Sequence, residues 1–125
     1  MLIGHCGDTN DLSYLEELLR MGCWIGLDRF GDDAKNPLEE RVNTLAELCD
    51  RGWIGQLMIS HDYVSFVDLG TFEWETKRRQ DPDDAKYNSR YIHRYVLPML
   101  RKRGFGDREI HQLMRENPRA YFAED

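Results

Sequence analysis

The chain has few cysteines, an acidic rather than basic charge balance and no long apolar run. Its three cysteines, Cys6, Cys23 and Cys49, are widely spaced and form no CxxC pair. This spacing argues against a disulfide scaffold and against a cysteine-rich zinc site, so we expect free thiols. The formal net charge of -6 argues against a nucleic-acid partner, because phosphate backbones need a basic surface.

Membrane and export signals are also missing from the sequence. No apolar stretch approaches the roughly 20 residues of a membrane-spanning helix. The opening residues do not follow the pattern of a signal peptide, so we expect a cytoplasmic protein without a membrane partner. The 125 residues are enough for one domain with a hydrophobic core.

Short apolar runs alternate with stretches of helical period. The runs at 1–3, 23–27 and 57–60 predict buried strands. Leucines at helical spacing predict one helix capped by Asn10 or Asp11, and a second that starts at Pro37 with Asn36 as its cap. Strands that alternate with helices predict an α/β fold with a parallel sheet.

The last third of the sequence predicts helices. Apolar residues at helical spacing over 91–100 indicate one helix, which Pro98 is expected to kink. Asp107 is expected to cap a final helix, and Asn117-Pro118 is expected to end it.

Ionisable residues follow each predicted strand: His5, then Asp28-Arg29, then His61-Asp62. The carboxyl ends of parallel strands meet at one edge of a sheet, where α/β proteins bind ligands. We therefore expect these side chains on one face of the molecule. Because successive strand residues point in opposite directions, we expect Asp62 to face the site and His61 to pack against a neighbour.

Each of these residues also has an ordinary structural interpretation. His5 is either a metal ligand or a solvent-facing or capping histidine. Asp62 is either a metal ligand that also moves a proton, or a carboxylate that caps a loop. Asp28 and Arg29 form a structural pair or face a substrate, and Asp8 is a functional carboxylate or else a turn or helix-capping residue.

Four stretches carry a resemblance to a known family. They read IGHCGDTNDL at 3–12, IGLDRF at 25–30, MISHDY at 58–63 and ENPRAYF at 116–122. In order and spacing they resemble the phosphotriesterase family of the amidohydrolase superfamily, including its lactonase-like branch. The resemblance implies a hydrolase of lactone, ester or phosphotriester bonds. It also implies that residues 1–125 are the C-terminal portion, strands six to eight with their helices, of a (β/α)₈ TIM barrel.

The resemblance also implies roles for individual residues around a centre of two divalent metals, zinc or else manganese, cobalt or iron. His5 matches a metal-binding histidine. Asp62 matches an aspartate that binds metal and accepts a proton, and Asp8 matches a carboxylate of a proton relay. Arg29 and Tyr63, similar to the lactonase-like branch, would orient the substrate, and segment 63–88 resembles the loop that shapes the substrate pocket.

Several family residues have no counterpart in this sequence. The strand-one His-x-His pair, the bridging lysine of strand four and the histidine of strand five are missing, and a full barrel takes about 250 residues. We therefore expect a fragment, a split gene product or a truncated gene, with weak or absent catalysis alone. The alternative is a non-catalytic module that completes a barrel with a missing N-terminal half, and a homodimer is a further possibility.

Overall fold

The computed structural model describes residues 1–63 and 88–123. Three parallel strands form a sheet in the order β1 (Leu2–Ile3), β2 (Trp24–Leu27) and β3 (Leu57–Ile59). Strand β2 is central, with Ile25 opposite Ile3 on one side and Leu57 on the other. The prediction of a parallel α/β sheet is therefore confirmed for these strands, and all three carboxyl ends point toward one edge.

Helix α1 (Leu12–Arg20) connects β1 to β2 and begins and ends as its sequence indicates. The side chain of Asp11 caps it by accepting a hydrogen bond of 3.1 Å from the backbone N–H of Tyr14. Gly22, with a φ of 81°, follows its end, in the left-handed conformation that glycine adopts at low cost.

Helix α2 (Leu38–Asp50) connects β2 to β3, and its start differs from the prediction. Pro37 is the N-cap residue, and no side chain caps the helix. The expectation that Asn36 is the cap is wrong, because the side chain of Asn36 is buried and donates a 2.9 Å hydrogen bond to the carbonyl oxygen of Gly7 instead. A buried carbonyl would otherwise lack a partner, whereas a helix N-terminus at the surface can bind water.

The apolar faces of the helices and the strands enclose a hydrophobic core. Side chains less than 2% exposed supply most of its volume and come from every part of the described chain. They include Leu15, Ile25, Leu27, Phe30, Val42, Leu45, Leu48, Leu57, Leu100 and Leu113. No helix within the described ranges is long and apolar enough to cross a membrane.

The last part of the described chain is helical, and each of its two prolines follows a π-helical segment. The elements are a π-helical turn Ile92–Val96, α3 (Leu97–Lys102), α4 (Asp107–His111), a second π-helical turn Gln112–Glu116, and α5 (Asn117–Phe122). Pro98 and Pro118 each lie two residues after a π-helical turn. The wider turn accommodates a residue that has no N–H and whose ring would clash with a regular preceding turn.

Two boundary predictions in this region are wrong for identifiable reasons. Asn117-Pro118 does not end the helix, since α5 continues to Phe122 once the π-helical turn has accommodated the proline. Asp107 is the first residue of α4 rather than its cap. Gly106 is the N-cap residue, and its backbone N–H donates to the side chain of Glu109 at 2.9 Å.

Candidate functional site

The three strand ends share an unusual backbone conformation. Within the described residues, positive φ outside glycine occurs at His5 (61°), Arg29 (61°) and Asp62 (52°). Each residue comes within three positions of the end of its strand. Left-handed backbone at non-glycine residues is uncommon and concentrates at functional sites. Of the ionisable residues singled out by their place after a strand, one at each strand end therefore also has a backbone that departs from its preferred regions.

Arg29 links two of the predicted site carboxylates. Its Nη1 lies 2.5 Å from Oδ2 of Asp8, and its Nε lies 3.3 Å from Oδ2 of Asp62. The side chains of Arg29 and Asp8 are 22% and 24% exposed, and that of Asp62 is 42% exposed. These three residues form a chain, Asp8–Arg29–Asp62, that crosses the carboxyl ends of all three strands.

Asp8 is held by cations on more than one side. Arg41 Nη2 lies 2.9 Å from Oδ1 of Asp8, and Lys35 Nζ lies 4.0 Å from Oδ2. Burial alone would raise the pKa of Asp8, but the hydrogen bonds from Arg41 and Arg29, together with their charges, outweigh burial and lower it. Asp8 is therefore an ionised carboxylate at neutral pH.

His5 is held by Asp28 through two hydrogen bonds. The backbone N–H of His5 donates to Oδ2 of Asp28 at 3.0 Å, and the ring Nδ1 lies 3.0 Å from Oδ1. When Nδ1 carries the proton and donates it to the carboxylate, the lone pair of Nε2 is free to bind a metal. Asp28 and Arg29 therefore do not pair with each other: Asp28 binds His5, and Arg29 binds Asp8 and Asp62. Their interpretation as substrate-facing groups stays a prediction.

Arg41 is a buried residue of this region that the sequence prediction missed. Its side chain is 1% exposed. Its Nε donates to the carbonyl of Asn36 at 2.8 Å, Nη1 to the carbonyl of Asp28 at 3.0 Å, and Nη2 to the carbonyl of Asp32 at 3.2 Å as well as to Asp8. The sequence did hold a signal, because Arg41 stands on the apolar face of α2, and a charge at such a position needs partners.

The other two predicted residues lie beside Asp62. The ring of His61 packs edge-on against that of Tyr63, with centroids 6.3 Å apart, and its Nδ1 accepts the backbone N–H of Tyr63 at 2.8 Å. His61 therefore contacts a neighbour, as predicted. Tyr63 is 36% exposed. The loop expected over 63–88 lies outside the described part of the chain, except for its two end residues.

The predicted metal ligands make up an incomplete donor set. His5 and Asp62 offer an imidazole nitrogen and carboxylate oxygens, which suit zinc and similar divalent ions. In the part of the chain that the structure describes, however, no group of three or more histidine, cysteine or acidic side chains is arranged to hold a metal ion. Catalytic zinc sites normally have three protein ligands, so these two residues fit a metal centre only as part of a larger set.

The fold and the site together define a parallel α/β unit whose polar cluster lies where barrel enzymes bind their substrates. The sequence profile of the phosphotriesterase family matches residues 1–122, and the chain belongs to this family of hydrolases. Phosphotriesterases have the TIM-barrel fold, and the three parallel strands with their helices are consistent with part of such a barrel.

Known relatives are similar over nearly the whole chain. The phosphotriesterase homology protein of Mycobacterium tuberculosis (strain H37Rv) is 36% identical over 122 residues, covering 98% of this chain and 36% of that protein. The aryldialkylphosphatase of Saccharolobus solfataricus is 34% identical over 123 residues, covering 98% of this chain and 38% of that protein. The chain therefore spans little more than a third of the length of these relatives.

Solved structures agree with this similarity. The phosphotriesterase from Mycobacterium tuberculosis matches with a TM-score of 0.84 at 36% identity, covering 98% of this chain and 36% of that one. The phosphotriesterase homology protein of Escherichia coli, solved with phosphate in its active site, matches with a TM-score of 0.75 at 26% identity, covering 94% of this chain and 36% of that one.

Proposed function

We propose that this chain contributes to a metal-dependent hydrolase that cleaves lactone, ester or phosphotriester bonds. The observation that carries the proposal is the Asp8–Arg29–Asp62 chain, which lies beside the His5–Asp28 pair at the carboxyl ends of three adjacent parallel strands. Membership of the phosphotriesterase family supports the reaction class, and the name aryldialkylphosphatase borne by one relative supports the phosphotriester substrate.

His5 and Asp62 are the residues that would hold the metal. A bound pair of divalent ions, zinc or else manganese, cobalt or iron, would supply an activated hydroxide and polarise the bond to be cleaved. Asp28 fixes the His5 ring so that Nε2 is available as the ligand atom. Arg29 donates a hydrogen bond to Oδ2 of Asp62 and so restrains the orientation of this carboxylate. The same orientation would set the direction from which Asp62 accepts a proton.

Arg29 and Tyr63 are proposed to orient the substrate. Two nitrogens of Arg29, Nε and Nη1, bind carboxylates. The fork geometry of the guanidinium leaves further N–H groups that suit a carbonyl or phosphoryl oxygen. The relay role of Asp8 stays a prediction, and its contacts add a second role, because an ionised Asp8 holds Arg29 in place for this task.

A second candidate function is that of a non-catalytic module that completes a barrel with another chain. The observation in its favour is the partial donor set, His5 and Asp62, in a chain that spans little more than a third of its relatives. On either candidate we expect weak or absent turnover by this chain alone, since two ligands fall short of a catalytic metal site.

The test is a reconstitution assay with one phosphotriester and one lactone in the presence of zinc, manganese or cobalt. The 125-residue chain is assayed alone and mixed with a segment that carries the other strands of the M. tuberculosis relative. We expect turnover in the mixture, and an Asp62→Asn chain should lower it by about 100-fold or more. Asp50→Asn, which changes an exposed carboxylate at the end of α2, is the matched control and should leave turnover unchanged.

The possible results separate the candidates. An assembled mixture without turnover, or one whose turnover survives Asp62→Asn, would refute the hydrolase proposal. Turnover that requires both pieces supports a catalytic half-site. Robust turnover by the chain alone supports the hydrolase but refutes the inference that its metal site is incomplete.

A further inference from the structure

We propose that Arg41 is the positioning residue of the candidate site, which holds Asp8 and, through Asp8, fixes the direction in which Arg29 reaches Asp62. The role of this positioning in catalysis rests on the proposed hydrolase function. The hydrogen bonds from which the positioning is inferred do not depend on that function. Arg41 lies on α2, behind the strand ends, and does not belong to the chain Asp8–Arg29–Asp62 that would face a substrate.

The hydrogen bonds of Arg41 join the two loops that carry the site. From the loop after β1, Asp8 accepts from Nη2 at 2.9 Å. From the loop after β2, the carbonyls of Asp28, Asp32 and Asn36 accept from Nη1, Nη2 and Nε at 3.0, 3.2 and 2.8 Å. All three guanidinium nitrogens therefore have protein acceptors, and four acceptors from two loops converge on one side chain.

In each loop, a residue that binds Arg41 also binds a candidate site residue. Asp8 binds Arg41 with Oδ1 and Arg29 with Oδ2, so the two guanidinium groups hold opposite oxygens of one carboxylate. Asp28 binds Arg41 with its backbone carbonyl and His5 with its side chain. Arg41 is thus connected to Arg29 through Asp8 and to His5 through Asp28.

The surroundings of Arg41 are built to admit a guanidinium at this place. A Cβ on Gly7 would lie 2.8 Å from Arg41 Nη1 and 2.9 Å from the carbonyl oxygen of Asp28. Only glycine lets the backbone approach the guanidinium this closely. Lysine carries its charge at a single nitrogen and cannot reach four acceptors in two loops, so the planar fork of arginine is what the geometry requires.

Side-chain order measured by nuclear magnetic resonance tests the proposal without metal or substrate. In the ¹⁵N-labelled chain, the order parameter of the Arg29 Nε–H bond is measured, with the signal assigned from an Arg29→Lys variant. We expect a value above about 0.8 in the wild-type chain and below about 0.6 in Arg41→Lys, because Asp8 then loses the partner that fixes it. Val42→Ala, a buried neighbour on α2 that makes none of these hydrogen bonds, is the control and should keep the wild-type value.

Each outcome decides the proposal. Loss of Arg29 order in Arg41→Lys but not in Val42→Ala supports a positioning role. An unchanged order parameter in Arg41→Lys overturns it, and so does an equal loss in both variants, which would mark general loosening. If Arg41→Lys does not fold, the order parameter of Arg29 is measured in Gly7→Ala instead, because the added methyl group displaces the guanidinium of Arg41 without removing it. Loss of order in that variant supports the proposal, and an unchanged value overturns it. Failure of the reconstituted hydrolase would leave these results intact.

Discussion

Replacement of Asn117 by leucine should destabilise the fold strongly, although leucine is similar in size. Asn117 is fully buried, and its Nδ2 donates to the carbonyls of Ile54 and Leu57, both at 2.6 Å. Its Oδ1 accepts from the side chain of Gln112 at 2.6 Å. The residue therefore connects α5 to the first residue of β3 and to the turn before it, and leucine can replace none of these hydrogen bonds.

The magnitude follows from the hydrogen bonds that are lost. The buried carbonyl of Leu57 loses its donor, which costs about 1–3 kcal/mol, whereas the carbonyl of Ile54 keeps the backbone N–H of Leu57. The lost hydrogen bonds to Ile54 and from Gln112 cost about 0.5–1.5 kcal/mol each. The apolar side chain of leucine offsets about 1 kcal/mol of this through burial. We therefore expect Asn117→Leu to lower the free energy of unfolding by about 2–4 kcal/mol, out of the roughly 5–15 kcal/mol that small domains possess.

Urea denaturation followed by tryptophan fluorescence and circular dichroism measures this loss. The control is Arg119→Leu, which adds the same side chain at an exposed position of the same helix and should change stability by less than about 0.5 kcal/mol. An Asn117→Leu chain within about 0.5 kcal/mol of wild type, with an unchanged dependence on urea, would show that these hydrogen bonds contribute no net stability.

Two further predictions concern titratable groups. Because the pKa of Asp8 is lowered in the folded chain, its ionised form stabilises the fold above the unfolded pKa of about 4, and this contribution is lost as pH falls through the folded value. The stability deficit of Asp8→Asn relative to wild type, measured by urea denaturation, should therefore shrink from pH 6 toward about pH 3, and a constant deficit contradicts the assignment. Burial raises the pKa of Cys6 to about 11 and that of Cys49 to about 12. Both thiols of the folded chain should therefore react with a disulfide reagent at pH 8 more slowly than in urea, by at least about 100-fold, and equal rates would refute this.

The strands and their polar ends could be predicted because both depend on local pattern and connectivity. An apolar run such as 23–27 indicates a buried strand wherever it occurs, and parallel connections bring all carboxyl ends to one edge. Knowledge of that edge is enough to expect His5, Arg29 and Asp62 near one another. Contact of Arg29 with Asp62 agrees with this expectation, whereas the catalytic and metal-binding roles stay predictions.

The choice of hydrogen-bond partners could not be predicted, because it depends on distances between residues far apart in the sequence. Asn36 stands next to a helix start, yet its side chain binds Gly7, 29 positions away. Arg41 reaches Asp8 across 33 positions. The rule that proline ends a helix failed at Pro118 for a different reason, since the preceding π-helical turn removes the conflict on which the rule depends.

The left-handed backbone at His5, Arg29 and Asp62 has a consequence for thermal robustness. A non-glycine residue in this conformation costs about 1–3 kcal/mol, so the backbone lowers the stability of the chain at the strand ends that hold the candidate site residues. Glycine at any of these positions would relieve the cost but remove the side chain for which the position is useful. Substitutions intended to raise the melting temperature of this protein should therefore be placed in the helices and not at the strand ends.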